Sequence, residues 1–244
     1  MRYRITLAYV GTRYAGWQRQ PNAPTVQEVL EAALERLTGS SVRSVAAGRT
    51  DAGVHAEGQL VSFALERELP LPSLVRGTNH FLPADVRVLD VAPVPDDFDA
   101  QREATAKRYR YRIHRATPLP PDRAPFAVAA PRELDPTRLA AAARALVGGH
   151  DFAAFALAGG AARTTERRIF AAAWEEEGDE LVFRVVGEGF LRGMVRGLVG
   201  TMLEVGTGRR SLGQFVRLLS GGARGEAGAT APAHGLCLER VELA

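Results

Sequence analysis

The feature that most limits the fold is a mixture of two periodicities that never settles into a regular strand–helix–strand repeat. Residues Tyr3 to Val10 alternate in character, which predicts a strand. Thr25 is a good helix N-cap, with Glu28 three residues on to complete a capping box. Behind it Val26, Val29, Leu30, Ala33, Leu34 and Leu37 share one helical face, and Gly39 ends the run. Short strands are expected at Ser41 to Ala46, Gln59 to Leu65 and Val86 to Val91, with a helix after Pro72. Ala92 to Ala100 reads as a hinge or linker, dividing the chain into a lobe of residues 1–100 and a lobe of residues 101–244. In the second lobe Thr105 to Arg115 is strand-like, and Pro136 to Val147 is an alanine-rich helix. Arg168 to Glu175 and Leu181 to Val186 flank the acidic turn EEEGDE as a hairpin. Helices are predicted at Phe190 to Val205 and Ser211 to Leu219, and a last strand at Leu236 to Leu243. This order suits an α+β fold with a mostly antiparallel sheet better than a doubly wound one.

Several classes are disfavoured by what the chain lacks. The longest apolar runs fall far short of the roughly 20 residues that cross a bilayer. The opening MRYRITLAYV has no extended apolar core or small-residue cleavage site, so no signal peptide is read and a cytoplasmic location is expected. A single cysteine, Cys237, leaves no internal disulfide framework and no cysteine-rich metal site. The net charge of +3 is modest. More telling is its kind, since Lys107 is the only lysine and every other cation is arginine. GC-rich codon usage produces such a bias, and arginine also stacks on bases and grips phosphates in bidentate fashion.

Three segments carry candidate chemistry. In AAGRTDAGVHAEGQLVSF, residues 46 to 63, two glycines bracket Arg49, Thr50 and Asp51, so the backbone can turn tightly and approach a ligand. A nearby arginine favours an ionised Asp51, which can serve as nucleophile or charge stabiliser; a surface loop with a weak Arg–Asp pair fits the same residues. His55 follows four residues after Asp51, one face of a helix if the segment is helical, but no third metal ligand lies at a sensible spacing. In TAKRYRYRIHR, residues 105 to 115, a strand places Lys107, Tyr109, Tyr111 and Ile113 on one face. Arg108, Arg110 and Arg112 then share the other. Tyrosines beside cations make a platform for splayed-out bases, although a half-buried strand with its arginines in water has the same pattern. In FLRGMVRGLVGTML, residues 190 to 203, Leu191, Val195, Leu198 and Met202 form an apolar helical stripe. Arg192 and Arg196 lie one turn apart there, and Gly193, Gly197 and Gly200 allow close packing. An arginine among such neighbours needs an acid, a phosphate or a path to solvent. VVGEGFLRG imitates a dinucleotide-binding loop, but its spacing is GxGxxxG and no acidic residue ends a second strand about 20 positions later.

Taken together, these segments resemble the TruA family of tRNA pseudouridine synthases over the full chain. AGRTDAGVHA matches the family signature; YAGWQRQ with the following VQE helix, NHFLP, KRYRY, MVRGLVG and GLCLERVEL occur in the family's order. The resemblance implies that Asp51 is the catalytic aspartate and that Arg49 fills the space left by a flipped base. It implies that Tyr109 is the active-site tyrosine, Arg196 the arginine pairing with Asp51, and Leu236 an apolar active-site residue, with Met194 helping to exclude water. Arg108 and Arg110 join Tyr109 and Leu236 as substrate-binding candidates. The implied fold is two RRM-like α/β lobes sharing a mixed, mostly antiparallel sheet, with the active-site cleft between them. The implied reaction converts uridine to pseudouridine at tRNA positions 38, 39 and 40, by a homodimer, without metal or other cofactor. A non-catalytic RNA-binding protein is the alternative. Two departures stand out: Tyr9-Val10-Gly11 where the family commonly has Tyr-Asp-Gly, and Ala100-Gln101-Arg102 where it commonly has Ala-Arg-Phe.

Overall fold

The computed structural model describes residues 1–160 and 162–243. It divides into two compact units, Met1–Thr105 with the strand residues from Leu238 onward, and Ala106–Cys237.

In the first unit β1 (Arg2–Tyr9) lies between β4 (Val86–Val94) and β3 (His55–Ala64), antiparallel to both. The short β2 (Ser44–Ala46) also pairs with β3, whose other neighbour in the sheet is β10 (Leu236–Leu243). Alternation on β1 buries Tyr3, Ile5, Leu7 and Tyr9, as the period of two requires. Two helices, α1 (Val26–Thr38) and α2 (Leu71–Phe81), pack on each other and bury Val26, Leu30, Leu34 and Leu74. Burying each such side chain stabilises by about 1.5–3 kcal/mol. Thr25 caps α1, accepting from the Glu28 amide at 3.4 Å, and Gly39 closes it at φ 74°. The reciprocal half of the capping box is not made; the Glu28 carboxylate sits 3.9 Å from Arg19 instead. Leu37 Cδ1 reaches 2.5 Å from where a Cβ on Gly77 would stand, so the Leu37 side chain packs over the bare glycine backbone.

The expected linker is anchored at both ends. Ala92, Pro93 and Val94 continue β4 along β1, and Ala100 opens a one-turn helix α3 (Ala100–Glu103), fully buried against Ala47 and Leu60. Apolar positions at the end of the linker signalled burial rather than flexibility.

In the second unit the strands run β5 (Ala104–His114), β9 (Glu180–Gly187), β8 (Glu166–Glu177) and β7 (Gly148–Asp151), antiparallel throughout. A two-residue strand, β6 (Val128–Ala129), adds in parallel to β5. The β8–β9 hairpin turns at the acidic tip as expected, with Gly178 at φ 59°. Helix α4 (Pro136–Ala145), capped by Asp135, packs on β8, on α5 (Met194–Gly206) and on α6 (Leu212–Arg217). Phe152, Phe155 and Phe215 pack in series between these elements, with ring centroids 6.2 and 6.1 Å apart. Helix α5 starts four residues later than its apolar spacing predicts, because Gly193 takes φ 68°, a left-handed conformation that ends one segment and caps the next. Arg192 therefore lies before the helix, where its guanidinium donates to the Ala158 carbonyl at 2.9 Å. Gly197 and Gly200 do give close packing, against the backbones of Phe155 and Ala229.

Among the described residues no helix is long and apolar enough to cross a membrane.

Candidate active site

Asp51 sits in the connection between β2 and β3, at the first position of a turn closed by the Val54 amide on its carbonyl at 3.1 Å. Gly53 takes φ 79° in that turn, so the glycine is required by the backbone. Thr50 points inward and is buried, its hydroxyl 2.8 Å from the Tyr9 phenol. Gln59, wholly buried on β3, donates to the Gly48 carbonyl at 2.7 Å and lies 3.5 Å from Tyr9. A polar stack of Gln59, Tyr9 and Thr50 thus fixes the base of the loop, and leaves Asp51 half-buried at its rim.

The segment Gly11–Trp17 braces the same loop from the other side. The Trp17 amide donates to the Thr50 carbonyl at 3.1 Å, and the Gly53 amide to the Tyr14 carbonyl at 3.2 Å. Gly16, at φ 94°, runs so close that a Cβ would stand 2.5 Å from the Thr50 oxygen; one on Gly11 would stand 1.9 Å from the Val54 oxygen. Asp85 ties this segment down, its carboxylate accepting from Arg13 Nε and from the Tyr14 hydroxyl, each at 2.8 Å. Its carbonyl accepts from the Val10 amide. Burial pushes Tyr14 up, and the hydrogen bond to Asp85 adds to this, to about 12. Burial works to raise Asp85, but the bonds from Arg13 and Tyr14 outweigh it and hold the carboxyl below its ordinary value. A depressed carboxylate stabilises the fold above the ordinary carboxylate range and stops doing so as pH falls through its folded value. Asp85→Ala is therefore expected to cost about 1.5–3 kcal/mol at neutral pH. Thermal unfolding of mutant and wild type should show that gap narrowing in acid; a gap independent of pH would refute the role given to the anion.

Arg49 is exposed and makes no ion pair among the described residues. The weak surface Arg49–Asp51 pair that the same residues would also allow is not among the ion pairs seen, and Thr50 and backbone bonds hold the loop. The segment is not helical either. His55 is the first residue of β3, buried, with Nδ1 accepting from the Gly11 amide at 3.0 Å. Among the described residues no group of three His, Cys, Asp or Glu side chains is placed to hold a metal.

The other expected site residues lie in the second unit. Tyr109 is buried on β5, edge-on to Phe190 at 5.1 Å between centroids. Arg196, in the first turn of α5, is half-buried; its Nε donates to the Ala231 carbonyl at 2.8 Å, and the Ala231 amide donates back to the Arg196 carbonyl. This pins the loop that precedes β10. Tyr111 pins it again by donating to the Pro232 carbonyl at 2.9 Å, and burial raises that phenol further above its ordinary value than the Arg196 charge lowers it. Gly235 follows, placed so tightly that a Cβ would stand 2.7 Å from the Tyr111 ring. Leu236 and Met194 are buried. On the second face of β5, Arg110 is only 8% exposed, Arg108 is half-buried, and Arg112 lies 3.2 Å from Glu180. The arginine face of β5 is thus covered rather than bathed in water. At the departures, Val10 ends β1's hydrogen bonding on Asp85, and Arg102 donates to the Asp97 carbonyl.

Sequence reasoning missed the brace formed by Tyr9, Gly16, Gln59 and Asp85. Gln59 carried the one readable signal, a polar residue within a strand otherwise fit for burial.

The sequence model of a family described as tRNA pseudouridine synthase matches residues 5–101 and 142–243. A protein named tRNA pseudouridine synthase A from Syntrophotalea carbinolica is 46% identical over 241 residues, 99% of this chain and 96% of that one. A namesake from Myxococcus xanthus is 48% identical over 243 residues, covering 98% and 91%. Another, from Moorella thermoacetica, is 45% identical over 247 residues, covering 98% of both. With near-complete coverage on both sides, this chain belongs to the tRNA pseudouridine synthase family.

Proposed function

We propose that the chain isomerises uridine to pseudouridine in transfer RNA, at positions 38, 39 and 40 of the anticodon stem-loop, with Asp51 as the catalytic carboxylate. The observation that carries this reading is a half-exposed aspartate on a braced turn, within a chain similar from end to end to tRNA pseudouridine synthases. The reaction breaks the bond from C1′ to N1, turns the uracil, joins C1′ to C5 and moves the C5 proton. Atoms and charge balance within the substrate, so neither a redox partner nor a second substrate is needed. Asp51 supplies the nucleophile, for which C1′ and C6 are the two open carbons. A brace that stops the loop from moving holds the carboxylate where the flipped nucleotide arrives.

The remaining roles follow from the family resemblance. The target uridine must leave its stack, at a cost of a few kcal/mol. Exposed Arg49 is suited to fill the gap, Tyr109 to stack on the extruded base, and Arg196 to stabilise charge. Leu236 and Met194 keep water from the detached base. Arg108 and Arg110 belong to the proposed substrate-binding set. A homodimer, readable from the mass in solution, and a cytoplasmic location complete the proposal.

The test is release of tritium from C5-labelled uridine in tRNA transcripts, with the modified positions mapped afterwards. Release is expected at undiminished rate in excess EDTA, since the described residues offer no ligand cluster for a metal. Absence of release would sink the enzymatic reading. Loss in chelator, restored by a divalent ion with the tRNA still folded, would sink cofactor independence.

A further inference from the structure

Of the 31 lysine and arginine residues, Lys107 is the single lysine. A chain that writes every other cation as arginine keeps lysine where a compact ammonium does what a guanidinium fork does not. Lys107 stands on β5 directly across from Gly187 of β9, which in turn faces Ile169 of β8. Directly opposed residues share a face of a sheet. Alternation then adds Tyr109 on β5 and Arg167 on β8 to that face. Gly187 has no side chain, and the Phe190 ring comes within 3.2 Å of where its Cβ would be, edge-on to Tyr109. The result is one patch of two aromatic rings and two cations.

The electrostatics of the patch are unbalanced. Burial, and then the Arg167 charge, push the Lys107 ammonium below its ordinary value. Among the described residues the Lys107 ammonium makes no hydrogen bond or ion pair, and Arg167 has no carboxylate partner. Arg167 is instead held in place through Nη1, which donates to the Thr164 and Glu166 carbonyls and to the Thr164 hydroxyl. Elsewhere on the protein Arg13, Arg115 and Arg184 each meet a carboxylate. Two neighbouring, half-buried cations without an anion are the protein's half of an anion site.

The ligand follows from spacing. Two residues along a strand span about 7 Å, comparable to the reach from a nucleobase to the phosphodiester on its own ribose. We propose that Lys107 and Arg167 clamp a phosphodiester flanking the uridine whose base rests on Tyr109. This deepens the proposed function and rests on it. The clamp fixes the backbone of the flipped nucleotide, so that extrusion delivers the ribose to one place.

The experiment is a cycle between protein charge and RNA charge. Full-length tRNAs are built with one neutral methylphosphonate, either 5′ or 3′ to the target uridine. Single-turnover kcat/KM and filter-binding affinity are then measured for wild type, Lys107→Met, Lys107→Arg and Arg167→Met. Wild type is expected to lose roughly tenfold in kcat/KM on one of the two neutralised RNAs. Lys107→Met should lose about as much on native tRNA, and little more on that neutralised RNA. Lys107→Arg, which keeps the charge, should retain the sensitivity to neutralisation. Losses that simply multiply at both positions overturn the clamp while leaving the enzyme reading intact. A wild type that does not turn over native tRNA overturns that reading instead, and the clamp with it. If Lys107→Met does not fold, Arg167→Met carries the same cycle, and its losses decide the matter in the same way.

Discussion

Asp51→Asn is expected to abolish turnover while leaving tRNA binding nearly intact. The amide keeps the shape of the side chain and removes the anion, and the hydrogen bonds among Thr50, Tyr9 and Gln59 beneath the loop remain. Loss of a nucleophile that acts at the rate-determining chemistry costs roughly 10⁴-fold or more. Binding should change by less than about tenfold, roughly 1.4 kcal/mol, because the affinity for RNA comes from many phosphate contacts. Single-turnover tritium release with filter binding alongside separates the two quantities. Appreciable release by the mutant, after deamidation back to Asp has been excluded, would end the nucleophile assignment. Loss of binding in step with release would favour the non-catalytic RNA-binding alternative.

Gly16→Ala should do comparable damage from a position that carries no functional group. The φ of 94° already strains any residue with a Cβ, by about 1–2 kcal/mol. The methyl would also stand 2.5 Å from the Thr50 oxygen and 3.1 Å from the Asp51 carbonyl carbon, all backbone, so no rotamer relieves the clash. The turn carrying Asp51 must shift, and a displacement near 1 Å costs about 10²-fold in rate. Gly39→Ala is the internal control. It shares the positive φ but has nothing within 4 Å, so it should cost only the strain and leave turnover unchanged. Equal loss of activity in the two variants would show that strain, not displacement of the loop, is responsible.

Much of this architecture could be read from residue order. Helix α1 announced both of its ends through Thr25 and Gly39, because caps are local and their chemistry is carried by single residues. The acidic β8–β9 hairpin was equally clear. Helix α5 misled, since Phe190 and Leu191 continue its apolar spacing, and only the backbone shows that Gly193 breaks it. The two-residue β6 and the Gly-Gly start of β7 had too few side chains to show a period. At the candidate site the motif named Asp51, but not what steadies it. The bonds from Tyr9 to Thr50, Gln59 to Tyr9 and Tyr14 to Asp85 join residues 41, 50 and 71 positions apart, which no window of local sequence can express. The burial of Arg110 was invisible for the same reason: alternation assigns faces but cannot say that both are covered.

Strand β10 has a consequence for the order in which the protein is made. From Leu238 it belongs to the first unit and lies beside β3, so closely that a Cβ on Gly58 would stand 2.5 Å from the Glu239 carbonyl. Yet it leaves the ribosome only after every residue of the second unit. At 5–20 residues per second the interval is on the order of ten seconds. During that time the part of the β3 edge not covered by β2 stays open, a template for pairing with another nascent chain. Late closure of the first sheet exposes the nascent chain to edge-to-edge pairing on a crowded polysome.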